Sequence, residues 1–307
     1  MAVERTSPAG VITSLLASLL FGVIFFISGA IEASAITLVA WRVLLTAACY
    51  LLILLHPAGR ALARSFWQTL SASKWHPLYF LLLVALIAVQ LWLFSWAPKG
   101  HALDASLGYL LLPLFLVIVG RVFFAAVITP LQWLAVGIAI AAVALKFIAS
   151  AQISWVTFAI ALGYAMYFSL RKFSGLNNAF AYGAEVLVLS PLAVYFLLSF
   201  SENLSPNMLT LVIAVGLAGA IAMALYLAAS TLLSMPLFGL LSYGEPILLF
   251  VAALLLGESL NLSDALVYGL LGIALAILGF DGFWRARSQA RLAPVSPAPA
   301  PVAEVKS

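Results

Sequence analysis

Three charged side chains, Arg42, Glu185 and Glu245, stand inside long apolar runs of this chain. A charge at the centre of a bilayer costs about 2.5–3.5 kcal/mol on insertion scales, so each marks either a functional pathway or a structural ion pair. The Arg42 guanidinium stays protonated and forks onto carboxylates, which suits an acidic substrate group or a gate; the competing reading is an ion pair that fixes helix packing. Glu245 sits in Gly244-Glu245-Pro246, where the proline removes a backbone hydrogen bond and permits a kink. Glu185 has two readings, a titrating carboxylate that couples transport to protons and a side chain that snorkels to the interface. Gln90, Trp92 and Tyr243 lie deep enough to line an amphipathic cavity, and Tyr109 and Trp96 fall near an interface, where an aromatic belt also places such rings. Tyr164 and Tyr167 complete the polar aromatic set. The substrate-binding candidates are therefore Arg42, Gln90, Trp92, Tyr109, Tyr243 and Glu245, with Glu185 as the coupling candidate. Cys49 is alone, and His56, His76 and His101 lie apart beside helix ends, so no metal site or cofactor is expected. No Ser–His pair, paired aspartates or Walker motif is present, which argues against an enzyme and against ATP as the direct driver.

Such residues need a scaffold that can hold them. Of the 307 residues, 65% are hydrophobic and 8% charged. A water-soluble domain carries about 25% charged residues, so the soluble classes are excluded, and the apolar fraction excludes disorder. Windows of about 20 apolar residues, enough to cross a hydrocarbon core of about 30 Å, fall at 11–29, 36–55, 78–96, 102–120, 131–148, 153–170, 180–198, 207–228, 236–256 and 264–283. The runs are continuous rather than alternating, which excludes a β-barrel. The expected class is an all-α polytopic membrane protein with ten transmembrane helices. Residues 56–77 read as a loop, 1–10 as a cytoplasmic N-tail and 284–307 as a cytoplasmic Pro/Ala-rich tail. At about 1.5 Å per residue, Arg42, Glu245 and Glu185 sit about 21, 14 and 8 Å from the inner boundary. Depth pairs Arg42 with Glu245 and leaves Glu185 near the inner mouth.

With the N-terminus inside, eleven Lys and Arg fall in inner segments and only Lys99 and Lys146 in outer ones. The positive-inside rule then places both termini in the cytoplasm of a bacterial-type inner membrane. Ala33-Ser34-Ala35 has the form of a signal-peptidase site, but the apolar run from Val11 exceeds the usual h-region of about 7–15 residues, so the first span is retained. Ten spans divide into five and five, 11–148 and 153–283. An odd number per half turns the second half over, giving two inverted five-helix repeats of the kind found in secondary transporters. Phe21-Gly22 matches Leu162-Gly163 between the halves, and Tyr109 with Pro113 matches Tyr243 with Pro246. Gly269, Gly272, Ala276 and Gly279 form a small-residue stripe, read as packing of the last span on the fifth or on a second copy.

The run Asp104-Ala105-Ser106-Leu107-Gly108-Tyr109 followed by Pro113-Leu114 resembles a segment of the RarD-type permeases, chloramphenicol-sensitivity proteins of the drug/metabolite transporter superfamily with EamA-like repeats. Gln132-Trp133-Leu134-Ala135-Val136, Trp41-Arg42-Val43, Arg171-Lys172 and the pair Glu185 and Pro191 are similar to further motifs of that family. The resemblance spans about residues 10–283, with its specific part in the fourth and fifth spans. This chain departs from the pattern at Phe21-Gly22, where the family has Trp-Gly; at Leu112, where it has Asn; and at Gly120-Arg121, which lacks the family's intervening glutamate. Gly257-Glu258 does close the ninth span.

The expected function is secondary transport of a small amphipathic metabolite or drug by alternating access, with proton coupling or exchange. The alternative is a non-transporting assembly or sensor protein that keeps the transporter fold. The expected partners are a small-molecule substrate, protons if coupled, and the lipid bilayer, with no nucleic acid; the protein is read as a monomer or homodimer.

Overall fold

The computed structural model describes residues 8–125, 127–150, 154–176, 178, 180–200, 202–233, 238 and 241–292. Over these residues the chain folds into α-helices and no strand: α1 (Pro8–Ala30), α2 (Ala35–Ile53), α3 (Pro57–Ser71), α4 (His76–Trp96), α5 (Ala102–Phe124), α6 (Pro130–Ser150), α7 (Trp155–Ser174), α8 (Ala181–Ser199), α9 (Pro206–Leu232), α10 (Gly244–Leu255) and α11 (Leu262–Leu292). Ser34, Ser154 and Ser205 cap α2, α7 and α9 by accepting a backbone N–H of the first turn, which satisfies a donor that has no helical partner. Gly175, at φ +69°, ends α7 in the left-handed conformation that glycine adopts without strain.

Among the described residues eight helices are long and apolar enough to cross a membrane: α1, α2, α4, α5, α6, α8, α9 and α11. The other two expected spans differ for identifiable reasons. α7 has the length but is less apolar, carrying Arg171 and Lys172 in its last turn. The span expected over 236–256 is broken: the chain turns at Tyr243, and α10 restarts at Gly244 for only 12 residues. Pro246 falls in the first turn of α10, where its missing N–H costs no helical bond. The proline thus starts a new helix instead of kinking a continuous one.

Segment 56–77, expected as a loop, contains α3. His56 Nδ1 accepts the Ala58 N–H at 3.3 Å, Pro57 opens the first turn, and Gly59, Ala63, Phe66 and Leu70 form the buried face. Leu62 and Trp67 remain exposed beside Arg60 and Arg64, the composition of a helix lying along a membrane surface. The last helix also runs further than expected, to Leu292; the tail from 293 and the N-tail before Pro8 lie outside the described residues.

Packing runs across the sequence. α1 lies against α9 and α10, α2 against α8 and α9, α4 against α7, α5 against α7 and α10, and α6 against α11. The outer surface is a belt of exposed Leu, Ile, Val and Phe, including Ile12, Leu19, Leu81, Val188, Leu192 and Ile273, as a bundle solvated by lipid requires. Gly269 and Gly272 of the expected stripe do not make the α6 contact: a Cβ at either would meet open space, and α11 packs there through Val267, Leu271, Ala274 and Leu278. Close approach occurs elsewhere, at Gly216 and Gly219 of α9 against α2. The Phe21-Gly22 and Leu162-Gly163 pairs occupy different settings, since Gly22 faces Leu248 of α10 whereas Gly163 faces Gln90 of α4.

Polar contacts between loops define the two ends of the bundle. Ser34 meets Glu202, Lys99 meets Ile31, Ala102 meets Glu258 and Lys146 meets Asp264 at one end, the far end. Asn178 meets Leu62 and Lys172 covers Phe124 at the other, the near end.

Candidate functional site

At the middle of the bundle α2 presents Arg42, which is buried, to α4, α9 and α10. α9 comes close enough that a Cβ on Gly219 would stand 3.0 Å from Arg42 Nε. The guanidinium carbon lies 4.7 Å from the centroid of the Phe94 ring on α4, a cation–π contact that partly replaces water around the charge. Phe94 is the hub of an aromatic group, edge-on to Phe25 at 5.5 Å, Tyr109 at 6.1 Å and Phe21 at 6.2 Å. Tyr164 of α7 stands 5.6 Å from Tyr109, and Tyr226 of α9 stands 6.3 Å from Phe21. Glu245, in the first turn of α10, sits where the helix dipole favours a carboxylate. It is in Coulombic reach of Arg42, Tyr109, Tyr164 and Tyr226. The break before α10 therefore puts an acid in the first turn of a new helix, within Coulombic reach of Arg42.

Three polar atoms of this group are buried with no hydrogen-bond partner: Arg42 Nη1, Tyr109 Oη and Gln90 Oε1. Burying such an atom unpaired costs about 1–3 kcal/mol. Gln90 is held in place by its other end, where Nε2 donates to the Ala159 carbonyl at 3.0 Å. That bond passes through a notch left by Gly163, where any side chain would overlap the Gln90 amide.

The structure thus gathers Arg42 and Tyr109 around Phe94, with Glu245 in Coulombic reach of both and Gln90 one turn earlier on α4, bonded to α7, and it places the remaining candidates further out. Tyr243, at the turn before α10, packs on the α5–α6–α11 cluster. Trp92 stacks on Trp96 at 5.1 Å and borders an apolar lateral groove of about 340 Å³ between α2, α4 and α8. Sequence reasoning left Phe21, Phe94 and Tyr226 out. A Phe in an apolar run carries no sign of which face it takes, and only the packing of α9 on α1 reveals Tyr226.

Glu185 is wholly buried toward the near end, so it does not snorkel. Tyr167 Oη donates to its Oε2 at 2.6 Å and accepts from Arg171 Nη1 at 2.9 Å, while Arg171 Nε lies 3.9 Å from Oε1. Arg171 also donates to the carbonyls of Leu176 and Asn178, which fixes it against the α7–α8 turn. Glu185 Oε1 itself has no hydrogen bond.

At the far end two glutamates of the second half of the chain hold helix starts of the first half. Both Glu202 oxygens accept the Ser34 N–H at 3.1 Å, ahead of α2. Glu258 accepts the Ala102 N–H at 2.6 Å and the Leu103 N–H at 2.8 Å, at the start of α5. Burial alone would raise Glu202, but hydrogen bonds from Ser34 and Thr37 and the nearby Lys99 charge hold it below the usual carboxylate range. Burial lowers Lys99, and Glu202 opposes that shift.

No protein-family model matches the chain. A Pseudomonas aeruginosa protein named chloramphenicol-sensitive protein RarD is 38% identical over 94% of this chain and 99% of its own length. An uncharacterized transporter of Pasteurella multocida is 32% identical over 90% of this chain and 97% of its own. Protein RarD of Escherichia coli is 28% identical over 64% and 69%. A solved crystal structure superimposes with a TM-score of 0.54 at 19% identity, covering 91% of this chain and 100% of the other, which shows a shared fold. Near-full-length identity to the Pseudomonas protein, on a polytopic helical bundle with a polar centre, shows that the chain belongs to the RarD family of membrane permeases.

Proposed function

We propose that this protein is an inner-membrane secondary transporter that moves a small amphipathic metabolite or drug by alternating access around the Arg42–Glu245 centre. The observation that carries the reading is the buried Arg42, its Nη1 unpartnered, over an aromatic group that also holds the unpartnered Tyr109 Oη. A merely structural core satisfies such atoms internally, whereas a binding site leaves them for a ligand. Trp92, at the lateral groove, and Tyr243, on the α5–α6–α11 cluster, are the outlying members of the proposed substrate-binding set. The packing is compatible with two inverted five-helix halves: exchanging α1 with α7, α2 with α8, α4 with α9, α5 with α10 and α6 with α11 turns α1–α9 into α4–α7 and α5–α7 into α1–α10 and leaves α2–α8, α5–α10 and α6–α11 unchanged, while α2–α9 maps onto the much smaller α4–α8 contact. Sites at the interface of such halves are the rule in secondary transporters.

In this reading Glu185 couples the cycle to protons. A carboxyl whose hydration alternates binds a proton when dry and releases it when wet, and Glu185 is dry here behind Tyr167 and Arg171. The test is substrate-dependent flux in proteoliposomes. Parent protein is expected to carry counterflow, Arg42→Ala to abolish it with expression retained, and Glu185→Gln to keep exchange but lose its response to a pH gradient. Absence of any flux from a folded parent would favour the scaffold alternative. A gradient response kept by Glu185→Gln would remove Glu185 from coupling.

A further inference from the structure

We propose that α3 and the turn after it form a docking surface for anionic phospholipid headgroups at the near end, with phosphates on Arg60, Arg64 and Lys74 and the indoles of Trp67 and Trp75 seated among them. The surface is separate from the central site and does not depend on what that site carries. The bundle holds α3 in one orientation. Phe66 packs edge-on to Phe80 of α4 at 5.4 Å and to Phe180 at 6.1 Å. Any Cβ at Gly59 would overlap the Ile53 carbonyl, and Asn178 Nδ2 donates to the Leu62 carbonyl at 3.1 Å. Gly59, Ala63, Phe66 and Leu70 therefore face the protein. Arg60, Arg64 and Trp67 each follow one of these positions by one residue, so they form a second stripe, turned by about 100°. All three are exposed, as are Lys74 and Trp75 in the turn that follows, and the two tryptophans are 59% and 54% exposed. The sequence holds no Asp or Glu between Glu32 and Asp104, and among the described residues no carboxylate lies within 4.0 Å of these three cations. The occupant follows from the tether. Only residues 54–56 separate α3 from the apolar span α2, and only 72–75 separate it from the apolar span α4. Three residues reach at most about 10 Å, so the stripe cannot leave the headgroup layer. Cations beside exposed indoles at that depth match anionic headgroups in charge and in their mixed polar and apolar character.

Purified full-length protein in a neutral detergent is titrated with phosphatidylglycerol or with phosphatidylcholine of the same acyl chains, and bound lipid is counted by native mass spectrometry. Phosphatidylglycerol is expected to bind more tightly. Arg60→Gln combined with Arg64→Gln should weaken it by about fivefold per arginine, and should leave phosphatidylcholine binding unchanged. Arg121→Gln combined with Lys172→Gln removes two near-end cations outside α3 and should change the preference far less. Tryptophan quenching by phosphatidylglycerol with a spin-labelled headgroup should fall in Trp67→Phe. All the α3 substitutions lie on exposed positions, so thermal unfolding in detergent alone should match the parent. Equal affinity of the parent for the two lipids overturns the proposal, as does a preference that survives loss of both arginines. Equal losses from the two double variants assign the preference to the total charge of the near end and also overturn it. A parent that binds polyglutamate but does not prefer phosphatidylglycerol carries a protein-docking surface instead, which overturns the lipid site.

Discussion

Arg42 carries its charge into the bundle with one cation–π contact at 4.7 Å and one nitrogen unpaired, so its energetic tie to Glu245 is measurable. The two are expected to couple by about 0.5–3 kcal/mol in a double-mutant cycle of Arg42→Gln and Glu245→Gln, read from thermal unfolding in detergent; additive effects would show that they act separately. The near-end cluster makes a second expectation. Tyr167→Phe deletes the hydroxyl that donates to Glu185 and accepts from Arg171, leaving a wholly buried carboxylate with neither oxygen hydrogen-bonded. The loss should be about 1–3 kcal/mol by the same measurement, and an unchanged midpoint would mean that Arg171 moves in to replace the bond. Arg42, Glu185 and Glu245 stand out in the sequence because charge in an apolar run is conspicuous. Their surroundings do not, since Phe94 and Tyr226 differ from other aromatic residues only in what packs on them.

Helix ends tie the halves together at the far end, and the ties are electrostatic. Glu202 is held below its ordinary value of 4.5, so its contribution to stability is fully present above that pH and disappears as pH falls through the lower folded value. Parent protein should therefore exceed Glu202→Gln in thermal stability by a constant margin from neutral pH down to about 4.5, with the margin closing below it; a margin independent of pH would assign the effect to packing. Glu258 acts on α5 as an N-cap supplied from a distant loop, and Glu258→Ala should cost about 0.5–2 kcal/mol, the usual loss for a cap. Sequence patterns foresee the long helices but not these ties, which join residues more than 150 positions apart. They also misread two elements. α3 is short and half polar, so a search for continuous apolar runs passes over the Ala63, Phe66 and Leu70 face that the helical period would have shown. The apolar run 236–256 hides the break at Tyr243, because hydropathy does not register that Pro246 begins a helix more readily than it continues one.

Taken as a whole, the molecule has two unlike ends. The near end carries Arg60, Arg64, Lys74, Arg121, Arg171 and Lys172, and the far end carries Glu32, Asp104, Glu202, Glu258 and Asp264 against only Lys99 and Lys146. The contacts that group the loops into two ends come from packing alone, and they reproduce the charge division that loop counting gives, which makes the division a property of the fold. The two far-end lysines are both engaged: Lys99 Nζ donates to the Ile31 carbonyl and Lys146 pairs with Asp264, each at 2.5 Å. Two lysines, each with a partner, are thus all that the far end carries across, whereas the opposite orientation would carry the four arginines and two lysines of the near end. Insertion should thus leave the near end, with the start of α1 and the end of α11, in the cytoplasm. A fluorescent reporter fused after Trp284 is expected to fold and fluoresce, and alkaline phosphatase at the same point to stay inactive. The same reporters placed after Gly100, in the far-end turn between α4 and α5, should give the opposite pattern. Phosphatase activity at both positions would require an even number of crossings between them. That result would mean that α10, at 12 residues, does not complete a passage of the membrane with the chain ahead of it.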